Sequence, residues 1–182
     1  MQRLGETLWN DMPKINAEIF TLTYGALVTQ ILNDGSTVAE ANQILDKMGY
    51  NIGTRLVDEF LAKSGVKDCS NLKETAESIA KVGFRMFLGV QANIVNWNDD
   101  DTAFSIQIGD NPITSFVELP IKYKDLKYSN IICGIIRGAL EMVQISVRCT
   151  CIRDMVVGDV VSEFRVEYKG TIQSEMAEVY HD

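Results

Sequence analysis

A single histidine, His181 in the penultimate position, is all that the 182-residue sequence offers to chemistry that depends on imidazole. A catalytic triad holds its imidazole between a nucleophile and an orienting acid, and a histidine-ligated metal site needs further ligands around it. One histidine near the chain end serves neither. The phosphate-cradling pattern G-x-x-x-x-G-K-[ST], the dinucleotide pattern G-x-G-x-x-G after a strand and the nucleophile elbow G-x-S-x-G are all missing. Nucleotide hydrolysis and serine-hydrolase chemistry therefore lack their usual signatures. Positive charge is short as well: a formal net charge of −8 gives no general attraction to phosphate backbones or anionic lipid, and no nucleic acid is expected as a partner. Lys122, Lys124 and Lys127 form one small basic cluster, which reads as a solvated loop.

Cysteine is sparse too. Cys69, Cys133, Cys149 and Cys151 fall below the density of a secreted disulfide scaffold, and no signal peptide is visible, so a reducing cytoplasmic setting is expected. Cys149 and Cys151 would share one face of a strand, without a second cysteine or histidine pair to complete a zinc site; they read as structural thiols. The densest acidic group, Asp99, Asp100 and Asp101, lacks the EF-hand pattern and reads as a solvated turn rather than a calcium site.

What is present is an ordinary globular composition, 46% apolar and 23% charged, far from that of a disordered chain. A chain of this length buries roughly 70% of the surface it exposes when unfolded, enough for one substantial core. Residues 1–16, with Gly5 and Pro13, show no sustained period and read as a loose N-terminal extension to a single domain spanning 17–170. A helical stripe at Phe20, Tyr24, Leu27, Val28 and Ile31 ends at Asn33, Asp34 and Gly35; a second, from Val38 to Phe60, stops near Ser64 and Gly65. Gly49 and Gly53 lie inside the second, which close helix packing would explain. Asn71 and Glu74 form the capping pair of a third helix, whose stripe runs through Leu72, Ala76, Ile79, Gly83, Met86 and Phe87.

The period then changes. Phe104, Ile106 and Ile108 alternate with Ser105 and Gln107, and residues 94–97 precede them across an Asn-Asp-Asp-Asp turn, which predicts a hairpin. Residues 129–147 are apolar almost all round but interrupted by Arg137, Glu141 and Gln144, the pattern of a buried central helix rather than a membrane span. A strand near 148–157 and another at 160–169 are expected to meet at a two-residue Gly158-Asp159 turn. The last strand alternates Phe164, Val166 and Tyr168 toward helices against Glu163, Arg165 and Glu167 toward water. Helices, hairpin, helix, hairpin specify an α+β fold, with about four helices on one face of a twisted antiparallel four-stranded sheet. Residues 171–182 read as a polar C-terminal tail.

Cys69 stands out because it occupies the short loop from Ser64 to Ser70, just before a predicted helix start. The partial positive charge there, with Lys67 beside it, favours a thiolate; the alternative is a small apolar loop residue without reactivity.

Four longer stretches carry more specific information: FTLTYGALVTQ at 20–30, LDKMGYNIG at 45–53, NPITSFVELP at 111–120 and YSNIICGIIRGALEMVQ at 128–144. In order and spacing they resemble the acyl-carrying small core subunits of the transport protein particle (TRAPP) vesicle-tethering complex, over roughly residues 16 to 170. The resemblance implies that Cys69 receives palmitate whose chain enters a hydrophobic channel. Gly83, Met86 and Phe87 would line it, Gly83 standing where relatives commonly have alanine. It further implies a non-catalytic scaffold at the cis-Golgi and endoplasmic reticulum, peripheral to the membrane and bound to sister subunits of similar fold. A homodimer is expected in isolation, and nucleotide exchange on a Rab-family GTPase belongs to the whole complex. Two other readings compete: a soluble lipid carrier or sensor that exchanges its ligand in the same cavity, and a thiol enzyme, for which the sequence shows neither base nor oxyanion site.

Overall fold

The computed structural model of the chain describes residues 1–66, 69 and 71–172. Its elements are α1 (Gln2–Asp11), α2 (Ala17–Asn33), α3 (Val38–Ser64), α4 (Leu72–Ser78), a π-helical turn (Ile79–Gly83), α5 (Phe84–Leu88), β1 (Ala92–Val95), β2 (Ala103–Ile108), α6 (Asn130–Met142), β3 (Ile145–Arg153) and β4 (Ser162–Thr171). The α4, π and α5 segments run on as one helical body. The four strands form one antiparallel sheet in the order β1-β2-β4-β3.

Local chemistry sets the helix ends. Asn16 caps α2 by accepting from the Ile19 amide at 3.0 Å. Thr37 and Glu40 form a reciprocal capping box at the start of α3, and Gly65 closes that helix in the left-handed region at φ 63°. Asn71 caps α4 by accepting from the Glu74 amide at 2.9 Å, as the sequence indicated.

Packing between α3 and α6 is unusually close because glycine faces backbone on both sides. A β-carbon on Gly134 would lie 2.7 Å from the Tyr50 nitrogen, and one on Gly53 would lie 2.9 Å from the Ala139 nitrogen. Gly49 and Gly138 meet the facing backbone in the same way. The expected role of Gly49 and Gly53 in close packing is met. Flanking the seam, Arg137 pairs with Asp46 and lies 4.7 Å over the Tyr50 ring, whose hydroxyl donates to Glu141 at 2.9 Å.

The inner sheet face carries Phe104, Ile106, Ile108, Phe164 and Val166, all buried with Ile132, Ile136 and Leu140 of α6 in the main core. Cys151 and half-buried Cys149 belong to the same face. A buried polar network anchors the irregular connection before α6: Asn111 donates to Ser129 and Ser162, while Ser129 donates to Asp154 through both its amide and its hydroxyl.

Several expectations need correction. The N-terminal stretch is not loose: α1 is helical and packed, with Leu8 buried and Leu4 and Met12 beside it at i, i+4, i+8 spacing. With α1 the described residues hold five helical bodies, and the expected single α+β domain with a four-stranded antiparallel sheet stands. The central helix stops at Met142, since Gln144 at φ 66° turns the chain directly into β3. The second hairpin does not turn on two residues; Asp154 caps a 3-10 turn at Met155–Val157, and pairing resumes only at Ser162. Glu163 does not face water: it is 2% exposed on the outer sheet face, accepting from Asn96 and Gln107 with Arg153 3.6 Å away. A carboxylate can be covered there because its neighbours supply donors and a cation. Burial pushes its carboxyl up, but these hydrogen bonds and the Arg153 charge outweigh it and hold it below the ordinary glutamate value.

Candidate functional site

Cys69 lies between α3 and α4 as a free, half-buried thiol. Its sulfur is 3.6 Å from the hydroxyl of Ser78, a buried residue on the last turn of α4. Lys67, expected to act on this thiol, lies outside the described residues, as does His181. The other three thiols are placed differently. Burial pushes the Cys133 and Cys151 thiols well above the ordinary value, and the Cys151 sulfur donates to the Arg153 carbonyl at 3.3 Å. They are packing groups in the core.

From Ser78 the chain enters the π turn, and that turn changes which face the helix presents. A π turn carries about one residue more than an α turn, so residues beyond it are rotated relative to an uninterrupted helix. Leu72, Ala76, Ile79, Ala80 and Phe84 pack in the main core, whereas Val82 and Met86 form a separate cluster with Leu8. Phe87 packs against that second cluster, together with Phe60. Met86 and Phe87 are thus brought together, but on the side covered by α1. Gly83, the last residue of the π turn, falls between the two stripes. A β-carbon there would meet only the Ser78 carbonyl oxygen, at 3.9 Å, so space is open beside it. Gly83 is itself only half-buried, so this space borders the surface rather than lying sealed inside the core. Ser78 and the π turn were not identified from sequence, since the stripe through Leu72, Ala76, Ile79, Gly83, Met86 and Phe87 reads as one helix at ordinary helical spacing.

Other candidate groups resolve into local structure. The Asp99–Asp101 turn is built by Asn98, which accepts from the Thr102 and Ala103 amides at 2.8 Å, and Asp101 pairs with Lys73 at 2.6 Å. Among the described residues no group of three or more histidines, cysteines or acidic residues is arranged to hold a metal ion. Lys122, Lys124 and Lys127 are exposed, with the Lys122 ammonium 4.5 Å over the Tyr123 ring. No described helix is long and apolar enough to cross a membrane.

Cys69 is thus a free thiol in contact with Ser78, at the head of a helical body that leaves room beside Gly83. Residues 20–167 match the family model described as transport protein particle (TRAPP) component. The chain belongs to the TRAPP component family. This TRAPP component is 51% identical to trafficking protein particle complex subunit 3 of Dictyostelium discoideum, over 99% of the chain and 97% of the relative. It is 40% identical to trafficking protein particle complex subunit BET3 of Saccharomyces cerevisiae, over 97% and 93% of the two chains. Among solved structures it resembles a trafficking protein particle complex subunit 3 from Naegleria fowleri that is covalently bound to palmitic acid. The TM-score is 0.83 at 53% identity, covering 87% of this chain and 98% of that one.

Proposed function

We propose that this TRAPP component is a non-catalytic scaffold subunit of a vesicle-tethering complex that holds a palmitoyl chain as a thioester on Cys69. The observation that carries the reading is the Cys69 thiol set against Ser78, at the head of a π turn whose last residue, Gly83, borders open space. Palmitate bound to the Naegleria relative supports the choice of ligand. Each buried CH₂ contributes about 0.8 kcal/mol, so a sixteen-carbon chain inside the domain brings on the order of 10 kcal/mol that would be lost in water. An acyl chain placed in this way completes a core rather than anchoring the protein in a bilayer.

In this reading the subunit works by assembly. The outer face of α2 leaves Ile19 and Leu22 67% and 62% exposed, and nearby Phe116 and Ile121 are 76% and 89% exposed. A groove of about 360 Å³ runs between α2 and this loop, with Gly25, Ala26 and Leu119 in its walls. Isolated apolar residues on a surface need no explanation, but a grouped set beside a groove favours a protein partner. Its occupant is a sister subunit of similar fold, or a second copy when the chain is alone, and native mass spectrometry with and without a sister subunit reads both. Rab nucleotide exchange, transport from the endoplasmic reticulum to the Golgi, and peripheral association with those membranes belong to the complex.

The test is the intact mass before and after neutral hydroxylamine, with Cys69→Ser as control. A palmitoyl increment removed by hydroxylamine and missing from the variant is expected. An unmodified mass from a eukaryotic host refutes the attachment, and a non-covalent palmitate that exchanges with added fatty acid favours the carrier reading.

A further inference from the structure

The helical body from Leu72 to Leu88 has α1 seated on the outer side of its π turn and α5, and three contacts fix it there. Leu8 is buried against Val82 and Met86 in a cluster separate from the main core. Gly5 brings the α1 backbone against the π turn: a β-carbon there would overlap the Lys81 carbonyl oxygen and lie 3.1 Å from the Arg85 β-carbon. Trp9 covers the turn after α5, where a β-carbon on Gly89 would be 2.7 Å from its ring, and the Lys14 ammonium sits 4.1 Å above the same ring. The π turn is therefore bounded at its start by the Cys69–Ser78 contact, at its end by the space beside Gly83, and on its outside by α1.

Two physical facts make this arrangement consequential. A π turn is a rare, poorly propagated geometry that persists where its surroundings hold it. The cluster under α1 also has only three buried members, Leu8, Val82 and Met86, so it opens at lower free energy than the main core does.

We propose that α1 is the retaining element of the acyl site. Docked through Gly5 on the π turn, it holds the wall beside Cys69 and Gly83, and reagents reach the thioester when α1 lifts. The inference rests on the reading that Cys69 carries the acyl chain. It assigns a role to a segment whose sequence suggested only an extension.

The experiment uses full-length acylated protein, with the loss of palmitoyl mass in neutral hydroxylamine followed over time and amide hydrogen exchange at residues 5–9 reporting α1 docking. Gly5→Leu forces the close approach apart, and Leu8→Ala weakens the same contact while leaving the backbone fit intact. Val166→Ala, in the sheet core away from α1, is the control for general destabilisation. Because access scales with the population of the opened state, release about tenfold faster is expected for Gly5→Leu. A smaller increase is expected for Leu8→Ala and none for Val166→Ala. If Gly5→Leu does not fold, Leu8→Ala decides alone. Lost protection in α1 with release at the wild-type rate overturns the proposal, as does equal acceleration by Val166→Ala. A wild-type protein without hydroxylamine-labile mass overturns the Cys69 reading and this one together; labile mass with a rate indifferent to α1 overturns this one only.

Discussion

Replacing Gly134 by alanine tests the architecture at its tightest point. The added β-carbon would lie 2.7 Å from the Tyr50 nitrogen and 2.9 Å from the Asp46 carbonyl carbon, roughly 0.7 Å short of the 3.4 Å at which ordinary contact begins. Both atoms are helix backbone, so relief requires α3 and α6 to separate. That movement also loosens the Tyr50–Glu141 hydrogen bond and the Arg137–Asp46 pair beside the seam. Overpacking of this kind costs about 3 kcal/mol, the upper end of the usual range, because no side-chain rotamer can absorb it. Alanine returns about 1 kcal/mol through helix propensity, leaving a net loss of about 2 kcal/mol. For a domain of this size the midpoint of thermal unfolding should fall by about 4–8 °C. Urea denaturation gives the free energy directly, provided the slope is unchanged. Gly25→Ala is the matched control: it also sits within a helix, but its β-carbon would stand 3.5 Å from the Tyr128 hydroxyl, an ordinary contact. That variant should be as stable as the parent or slightly more so. If Gly134→Ala behaves like Gly25→Ala, the close-seam argument is wrong.

Three further predictions concern the acyl site and two covered carboxylates. Gly83→Leu fills the space beside the π turn and should abolish the hydroxylamine-labile palmitoyl mass while circular dichroism shows the fold retained; undiminished acylation would remove Gly83 from the channel wall. Glu163, whose carboxyl is held below its ordinary value, supplies stability that is present above about pH 4.5 and is lost as pH falls through its folded value. Glu163→Gln should accordingly flatten the loss of stability on acidification. Asp154 runs the other way, its carboxyl raised chiefly by burial, so its contribution is present below about pH 3.8 and declines as pH rises through its folded value. Urea titrations of Glu163→Gln and Asp154→Asn across pH 3 to 6, a range spanning ordinary carboxylate values, should therefore diverge from the parent in opposite senses, and parallel curves would refute the assignment.

The fold was legible where one physical signal governed one element. The caps at Asn71 and Gly65, the alternation through Phe104, Ile106 and Ile108, and the all-round apolar run ending in α6 each specify local structure without help from the rest of the chain. Legibility failed where two segments share a requirement. Gly5 looks like a helix breaker until the Lys81 carbonyl opposite it is known, and Glu163 looks solvent-facing until Asn96 and Gln107 are placed beside it. The candidate site was legible in its chemistry only through family resemblance, since a lone loop cysteine carries little information. Its geometry was hidden because Ser78 meets Cys69 across a loop and the π turn redirects the stripe that follows.

The π turn also determines which kinds of sequence change this region can absorb. The π turn holds one residue more than an α turn would, so deletion of a single residue between Ile79 and Gly83 would restore α geometry and leave the following segment facing nearly as it does now, whereas α geometry without the deletion would turn that segment by about 100°. In that second case Met86 would swing away from Leu8, Phe84 would leave the main core, and the platform beneath α1 would be lost. A relative with a one-residue gap at this point could therefore keep the platform for its first helix with a plain α-helix, while a relative of full length needs the widened turn to keep it.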